Sequence, residues 1–177
     1  MPNFVFIAVS LDGFIADKDQ GLDWLDSVPN PQGLDLGYQP FIDSIDALVM
    51  GRHSFEKVMS FDCDWPYSKP VMVLSNSLTS LPEGFTGEVT LINGELKQLV
   101  KQLNQQGYNN LYIDGGLTIQ QFLANDLIDE MILTRFPILL GGGAPLFGDL
   151  PMSKAFKHQS TSVLLDQLVQ SHYIREQ

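Results

Sequence analysis

The sequence predicts an α/β fold in which a mostly parallel central sheet is flanked by helices and closed by an antiparallel hairpin. Short β-rich apolar runs alternate with helical patterns along most of the chain, which is typical of parallel strands joined by helices. Near the C-terminus two strand patterns follow each other with no helix between them. With 177 residues, 44% of them hydrophobic, the chain can build a substantial core, and we expect a single domain over 1–177.

The first half of the chain begins this alternation. Residues 4–10 form a β-rich apolar run, and Asp12 and Gly13 behind it are typical of a turn. Beyond a proline-containing break at 29–31, residues 34–44 have a loose helical pattern of apolar side chains. The remaining predicted elements of this half are a buried strand at 47–50 that ends at Gly51, a short helix at 54–59, and strands at 70–74 and 89–92.

The second half continues in the same way. A helix is predicted at 95–106, with its leucines on one face and Gly107 as its stop. The other predicted elements are a strand at 111–113, a tight turn at Gly115 and Gly116, a helix at 118–125, a strand at 129–136, and a terminal hairpin of 162–166 and 168–174.

Composition and charge argue against several function classes. The chain has 21 acidic and 10 basic residues, a net charge of −11, and its cations are scattered, so we expect no nucleic-acid partner. The lone Cys63 allows neither an internal disulfide nor a multi-cysteine metal site, and we expect no metal. No apolar run approaches the roughly 20 residues of a bilayer span, and the first residues do not resemble a secretory signal. We therefore expect a cytoplasmic protein that does not bind a membrane.

Two glycine turns are the places where chemistry is expected. In such sheets, ligands bind beyond the carboxyl ends of the strands, where helix N-termini offer free N–H groups. The segments ALVMGRHS (47–54) and LYIDGGLT (111–118) each run from a strand through glycine into a helix. Taken alone, each is more often a tight connection than a phosphate site. Together, two such turns can hold a pyrophosphate between them.

Six segments, in this order and spread over nearly the whole chain, resemble one known family. They are AVSLDGFIA (8–16), DALVMGR (46–52), VLSN (73–76), DGG (114–116), TRFP (134–137) and LLGGGAPLF (139–147). The sequence thereby resembles the dihydrofolate reductase superfamily, and within it the group that contains the reductase domain of the bifunctional riboflavin-biosynthesis enzyme. The resemblance implies a three-layer dihydrofolate-reductase-like fold.

The same resemblance implies NADPH as the cofactor. Backbone groups of Ala8 and Ile15 are expected at the nicotinamide carboxamide. Arg52 and Ser75 are expected to favour NADPH over NADH, because a guanidinium and a hydroxyl can satisfy the 2′-phosphate. For Arg52, the alternative is a solvated arginine at a helix start. The residues expected at the phosphates and the adenosine half are Gly51, Arg52, His53, Ser54, Leu74, Ser75, Asn76, Gly115, Gly116, Leu117 and Thr118.

Three residues are expected to be catalytic. Asp35 lies 16 residues before Gly51, where dihydrofolate reductases have the acid that binds the pterin, on the helix after the first loop. Thr134 matches the threonine that bonds this acid. Asp114 precedes the double glycine, a position occupied by an acid in the riboflavin-type reductases, and burial there would raise its pKa. The alternatives are a helix-start aspartate for Asp35 and an acceptor of turn N–H groups for Asp114.

Two further residues are the predicted substrate contacts. Trp24 is expected to line the mouth of the cleft, with packing alone as the alternative. Asp12 is also placed with the substrate, although an aspartate before glycine is more typical of a turn former.

The substrate side departs from the riboflavin-type reductases. Those enzymes have an arginine-bearing helix before the Asp-Ala strand to bind the ribose phosphate, whereas 34–44 contain no cation. We therefore expect an NADPH-dependent reductase of a small heterocycle, either a pyrimidine, as in the reduction of 5-amino-6-(5-phosphoribosylamino)uracil, or a pterin. The alternatives are dihydrofolate reductase activity and an NADPH-binding protein without turnover.

A subunit contact is predicted from the glycine-rich segment 141–147. Its apolar residues lie beside a flexible turn, and it resembles a segment that family members use near their subunit contact. We therefore expect a homodimer.

Overall fold

The central sheet of the computed structural model, which describes residues 1–176, has eight strands. Two further short strands pair with each other beside it. The ten strands are β1 (Asn3–Ser10), β2 (Phe14–Ala16), β3 (Ala47–Gly51), β4 (Val71–Leu74), β5 (Val89–Ile92), β6 (Leu111–Asp114), β7 (Glu130–Phe136), β8 (Ala144–Pro145), β9 (Phe156–Leu164) and β10 (Leu168–Arg175).

The strand order across the central sheet is β5-β4-β3-β6-β1-β7-β10-β9. The first six strands of this order run parallel to one another. The β9–β10 hairpin follows them, and β10 pairs with β7 in antiparallel fashion. The predicted mixed, mostly parallel sheet with a C-terminal hairpin is therefore confirmed.

Helices cover both faces of the sheet and make it the middle of three layers. They are α1 (Tyr38–Asp43), α2 (Arg52–Met59), α3 (Leu96–Gln105) and α4 (Gly116–Ala124), with a 3₁₀ helix at Asp23–Ser27. Because successive side chains of a strand point to opposite faces, Leu48 of β3 packs with α1 and α2, and Val49 packs with α3 and α4. Burial on both faces explains why these strands are continuous apolar runs.

The helix predicted over 34–44 is shorter than expected. It begins only at Tyr38, because Leu36 (φ 54°) and Gly37 (φ 87°) have left-handed backbone that a helix cannot continue through. Asp35 therefore lies in the segment before the helix and not on it. Pro40 falls in the first helical turn, where a backbone N–H would have no intrahelical acceptor, so proline costs the helix no hydrogen bond.

Strands β2 and β8 were not predicted from the sequence. Phe14 pairs with Pro145 and Ala16 with Ala144, so the glycine-rich segment is drawn against the first turn. Gly143, at φ 128°, lies so close to the Ala16 carbonyl that a side chain there would overlap it. Strands of two and three residues are too short to show an alternating pattern, and tertiary contact decides them.

Nowhere in residues 1–176 does a helix combine the length and the apolar character needed to span a membrane.

Candidate functional site

The two glycine turns meet at one edge of the sheet. Strands β3 and β6 are parallel neighbours in which Met50 pairs with Asp114, so both strands end at the same level. Gly51 is the residue before α2 and Gly115 the residue before α4. The free N–H groups of two helix N-termini therefore lie side by side, an arrangement that favours anions.

Glycine is required here because the two turns touch each other. A Cβ on Gly51 would lie 2.8 Å from the Thr118 hydroxyl, and a Cβ on Gly115 would overlap the Ser54 hydroxyl. Gly115 also has φ 87° and ψ 133°, which residues with a side chain rarely adopt. Each turn thus packs against the first turn of the other helix, and together they form a cradle of backbone N–H groups.

This cradle opens into a large cavity of about 1260 Å³. Its volume exceeds the roughly 300–1,000 Å³ of most small-molecule sites, which suits a dinucleotide together with a second ligand. All thirteen residues predicted to hold the cofactor line it, although they come from four distant segments. They are Ala8, Ile15, Gly51, Arg52, His53, Ser54, Leu74, Ser75, Asn76, Gly115, Gly116, Leu117 and Thr118.

Helix α2 supplies the positive charge of the large cavity. The Arg52 guanidinium is 3.7 Å from the Glu56 carboxylate and 3.2 Å from the His53 ring, and the Arg52 side chain is 40% exposed. A pair this long and this exposed contributes little to stability, so the guanidinium remains available to a ligand. Lys57 lines the same cavity. It was not predicted from the sequence, because a single lysine on a short helix has no motif around it.

Ser75 shapes the loop after β4. Its hydroxyl oxygen accepts hydrogen bonds from the backbone N–H groups of Ser77 (3.2 Å) and Leu78 (2.9 Å). The hydroxyl proton is still free to be donated, since these bonds use only the oxygen lone pairs. Ser75 therefore combines a structural role with the capacity to bind an anionic ligand oxygen.

Asp114 lies at the carboxyl end of β6 among three tyrosines. Burial raises the pKa of this carboxyl, and the bond from the Gly115 N–H and the nearby Tyr112 hydroxyl only partly offset that rise. Tyr38, Tyr67 and Tyr112 line the same cavity, and burial followed by the charge of Asp114 raises the pKa of each phenol. Tyr112 donates to the Phe6 carbonyl at 2.9 Å. No sequence pattern marks Tyr38 and Tyr67, which reach Asp114 only through packing.

A second cavity of about 500 Å³ adjoins the first, and the two share Phe6, Ala8 and Leu25 as wall. Asp35 and Thr134 both line it. Asp35 is exposed and accepts hydrogen bonds from the backbone N–H groups of Gln39 (2.9 Å) and Gly37 (3.2 Å), which lower its pKa. This carboxylate therefore satisfies two backbone N–H groups at the start of α1.

Thr134 bonds a glutamine and not the predicted aspartate. Its buried hydroxyl accepts from the Gln170 side-chain amide at 2.9 Å, and the same amide donates to the Leu36 carbonyl at 3.0 Å. The expected bond between Asp35 and Thr134 is absent from the described residues. Gln170 pairs with Thr134 across β7 and β10, and that register was not visible in the sequence.

Asp12, which was predicted to contact the substrate, instead binds backbone N–H groups of the glycine-rich segment. Its carboxylate accepts from the backbone N–H groups of Gly141 (2.7 Å) and Leu140 (3.0 Å) and from the Ser10 hydroxyl (2.6 Å). The Ser10 bond, with help from Leu140 and Gly141, lowers the pKa of Asp12 to about 2. Asp12 lines neither of the two cavities. Both carboxylate oxygens accept hydrogen bonds within the protein, and through them Asp12 holds the glycine-rich segment against the end of β1.

Trp24, which was predicted at the mouth of the cleft, forms part of the wall of the large cavity. Its ring is 7% exposed and packs edge-on against Phe136 at 5.2 Å. The indole N–H is buried and has no hydrogen-bonding partner in the described chain.

In the part of the chain described, 1–176, no three His, Cys, Asp or Glu side chains are grouped so that they could hold an ion.

Two similar proteins match the chain over almost its entire length. A candidate riboflavin biosynthesis protein from Shewanella sp. PV-4 is 56% identical, with a TM-score of 0.98 and 100% of each chain covered. The uncharacterized protein YwjB of Bacillus subtilis is 35% identical over 173 residues, which are 97% of this chain and 96% of YwjB.

More distant structures share the fold. The diaminohydroxyphosphoribosylaminopyrimidine deaminase/5-amino-6-(5-phosphoribosylamino)uracil reductase of Thermotoga maritima has a TM-score of 0.73 at 15% identity, over 98% of this chain and 56% of that one. Dihydrofolate reductase from Enterococcus faecalis, complexed with NADP(H), has a TM-score of 0.63 at 15% identity, over 99% and 97%. At residues 4–170 the sequence matches the RibD C-terminal domain family. The chain therefore belongs to the RibD C-terminal domain family and has the dihydrofolate-reductase-like fold.

Proposed function

We propose that this protein is an NADPH-dependent reductase of a small heterocyclic substrate. The observation that carries the proposal is the large cavity, in which two helix N-termini lie beside each other and all thirteen predicted cofactor residues form the wall. Membership in a family whose more distant structural relatives include a uracil-derivative reductase and an NADP(H)-bound reductase supports it.

The chain's residues fit NADPH along the length of the cavity. The N–H groups of α2 and α4 suit the pyrophosphate, because both helices begin at glycines that admit close backbone approach. Arg52 and Lys57, with the Ser75 hydroxyl, supply donors for the additional 2′-phosphate. Ala8 and Ile15, on β1 and β2, line the cavity where the nicotinamide carboxamide would need backbone partners.

Asp114 is the proposed proton donor. When bound, NADPH supplies a hydride to the carbon of a C=N or C=O bond. The heteroatom of that bond then takes a proton from the Asp114 carboxyl, which recovers one from water. Burial keeps the carboxyl protonated at a pH where an exposed aspartate is ionised. The hydride and the proton together complete a two-electron reduction.

Cofactor binding is tested first, by thermal unfolding with NADPH, with NADH and without ligand. NADPH at 100 times its dissociation constant should stabilise the protein by about 2.7 kcal/mol, and NADH by less at the same concentration. If neither nucleotide raises the midpoint of unfolding, the proposed function is wrong.

Turnover is tested by following NADPH oxidation with a panel of pyrimidines and pterins. Asp114→Asn should slow oxidation by about 10²-fold or more, since general acid catalysis typically contributes that much, while NADPH binding is retained. Asp149→Asn, at an exposed position that lines neither cavity, is the matched control and should oxidise NADPH like the parent protein.

Dihydrofolate reductase activity is the second candidate, because Asp35 and Thr134 line the smaller cavity together. It requires Asp35→Asn to abolish the reduction of dihydrofolate while Asp114→Asn leaves it intact. NADPH binding with no oxidation by any compound of the panel would instead favour a binding protein without turnover.

A further inference from the structure

We infer that the substrate end of this site takes an uncharged planar ring compound that carries neither a phosphate nor a carboxylate. The inference rests on the proposed reductase function and deepens it, because it names the class of substrate. It differs from what the more distant relative from Thermotoga maritima is named for, a substrate with a phosphoribosyl group.

The basic side chains of the two cavities are confined to one helix. Among the described residues, three basic side chains line the two cavities, and all three are on α2: Arg52, His53 and Lys57. Helix α2 begins at the glycine cradle, so its cations belong to the cofactor half of the large cavity. No cationic side chain lines the remaining walls within residues 1–176, so an anionic substituent on the substrate would have no counter-charge there.

Acidic groups occupy the walls that a substrate tail would meet. Asp26 and Asp35 line the smaller cavity, which adjoins the large one through Phe6, Ala8 and Leu25. The hydrogen bonds that Asp35 accepts lower its pKa and keep it ionised. A phosphate or carboxylate that entered this space would therefore be repelled, in a protein whose net charge is already −11.

The rest of the substrate end favours a flat ring with polar edges. Phe6 and Tyr38 meet edge-on at 5.8 Å, and Tyr67 and Trp24 add further aromatic wall. The Asp114 carboxyl, which lies near Tyr38 and Tyr67, can both donate and accept while it keeps its proton. Ring carbonyl, imine and N–H groups match these requirements.

The test compares pairs of compounds that share a ring and differ in charge. Binding to the NADP⁺-saturated protein is measured by titration calorimetry for pterin against pterin-6-carboxylate, and for uridine against uridine 5′-monophosphate. We expect at least one uncharged member to bind, and to bind at least tenfold more tightly than its charged counterpart. Equal or tighter binding of the charged members overturns the inference, and so does the failure of all four compounds to bind.

A charge reversal tests the stated cause. Asp26 is exposed and lines the smaller cavity, so Asp26→Arg adds a cation there without disturbing the core. This variant should bind the charged members more tightly than the parent does. Glu83→Arg makes the same change in net charge at an exposed position outside both cavities and should leave all four affinities unchanged. An equal gain in both variants would mean that the overall charge, and not the cavity wall, excludes anions.

The two proposals fail in different ways. Retention of NADPH binding together with a preference for the phosphorylated or carboxylated compounds contradicts only the inference on substrate class. Loss of NADPH binding in the parent protein contradicts the proposed function itself.

Discussion

Arg52 is the arginine of the large cavity, and its ion pair with Glu56 is long and exposed. The guanidinium can therefore leave Glu56 for a 2′-phosphate at little cost. We predict that Arg52→Ala weakens NADPH binding about tenfold or more and NADH binding less, as measured by titration of each nucleotide. Glu56→Gln is the complementary variant, since it removes a competing negative charge and should tighten NADPH binding. Equal losses for the two nucleotides in Arg52→Ala would show that Arg52 does not touch the 2′-phosphate.

The raised pKa of Asp114 leads us to expect that turnover depends on pH. Burial raises the pKa of this carboxyl, and a proton donor is active only while it is protonated. We therefore expect kcat to be highest at low pH and to fall as the pH rises through that raised pKa. This fall should be missing from the residual activity of Asp114→Asn, because an amide does not titrate. A kcat of the parent protein that rises with pH would contradict the role of Asp114 as an acid.

The same residue makes a prediction about stability. A pKa raised by folding means that the folded protein must retain or take up a proton, so the penalty of burying Asp114 is absent below its ordinary pKa of 3.8 and grows as the pH rises. Asp114→Asn should therefore raise the free energy of unfolding at pH 8 more than at pH 4, as measured by urea denaturation. A difference between parent and variant that does not change with pH would argue that Asp114 has an unperturbed pKa.

At the scale of elements, the junction of β6 and α4 depends on Gly115. A Cβ there would overlap Ser54, and φ 87° with ψ 133° is a strained conformation for any other residue. We predict that Gly115→Ala costs more than about 2 kcal/mol of stability and abolishes NADPH binding. Gly107, at φ 99°, is the matched control, because a Cβ there would have no atom within 4 Å. Gly107→Ala carries backbone strain alone and should retain NADPH binding.

The element boundaries show where local pattern fails. Strand β5 runs over Val89–Ile92 as predicted, because a short apolar run bounded by loop residues depends little on its neighbours. The helix predicted over 34–44 lost its first residues because two consecutive left-handed residues interrupt it. The spacing of apolar residues indicates which side chains are buried, but it does not indicate the sign of the φ angle. This break was therefore not visible in the sequence.

At the scale of the whole molecule, the predicted homodimer is still to be tested. The segment predicted at the contact ends at Phe147, which is 48% exposed, and exposed Leu139 and Met152 flank it. We expect sedimentation at tens of micromolar to show a dimer, and Phe147→Asp to shift it towards monomer, because burial of exposed apolar side chains stabilises an interface. A monomeric parent protein would refute the expectation.

The α/β class and the two glycine turns followed from the amino-acid sequence alone. Each turn is a local strand-glycine-helix pattern, and parallel strands bring their carboxyl ends to the same edge of a sheet. The resemblance to a known family, and not a local pattern, indicated the thirteen cofactor residues that line the large cavity. The packing of the folded chain was needed to show that Gln170 bonds Thr134, that Asp12 binds Leu140, 128 residues away, and that three tyrosines lie near Asp114. These contacts depend on strand register and on loops that pack across the sheet, and no pattern within a single segment encodes such distances.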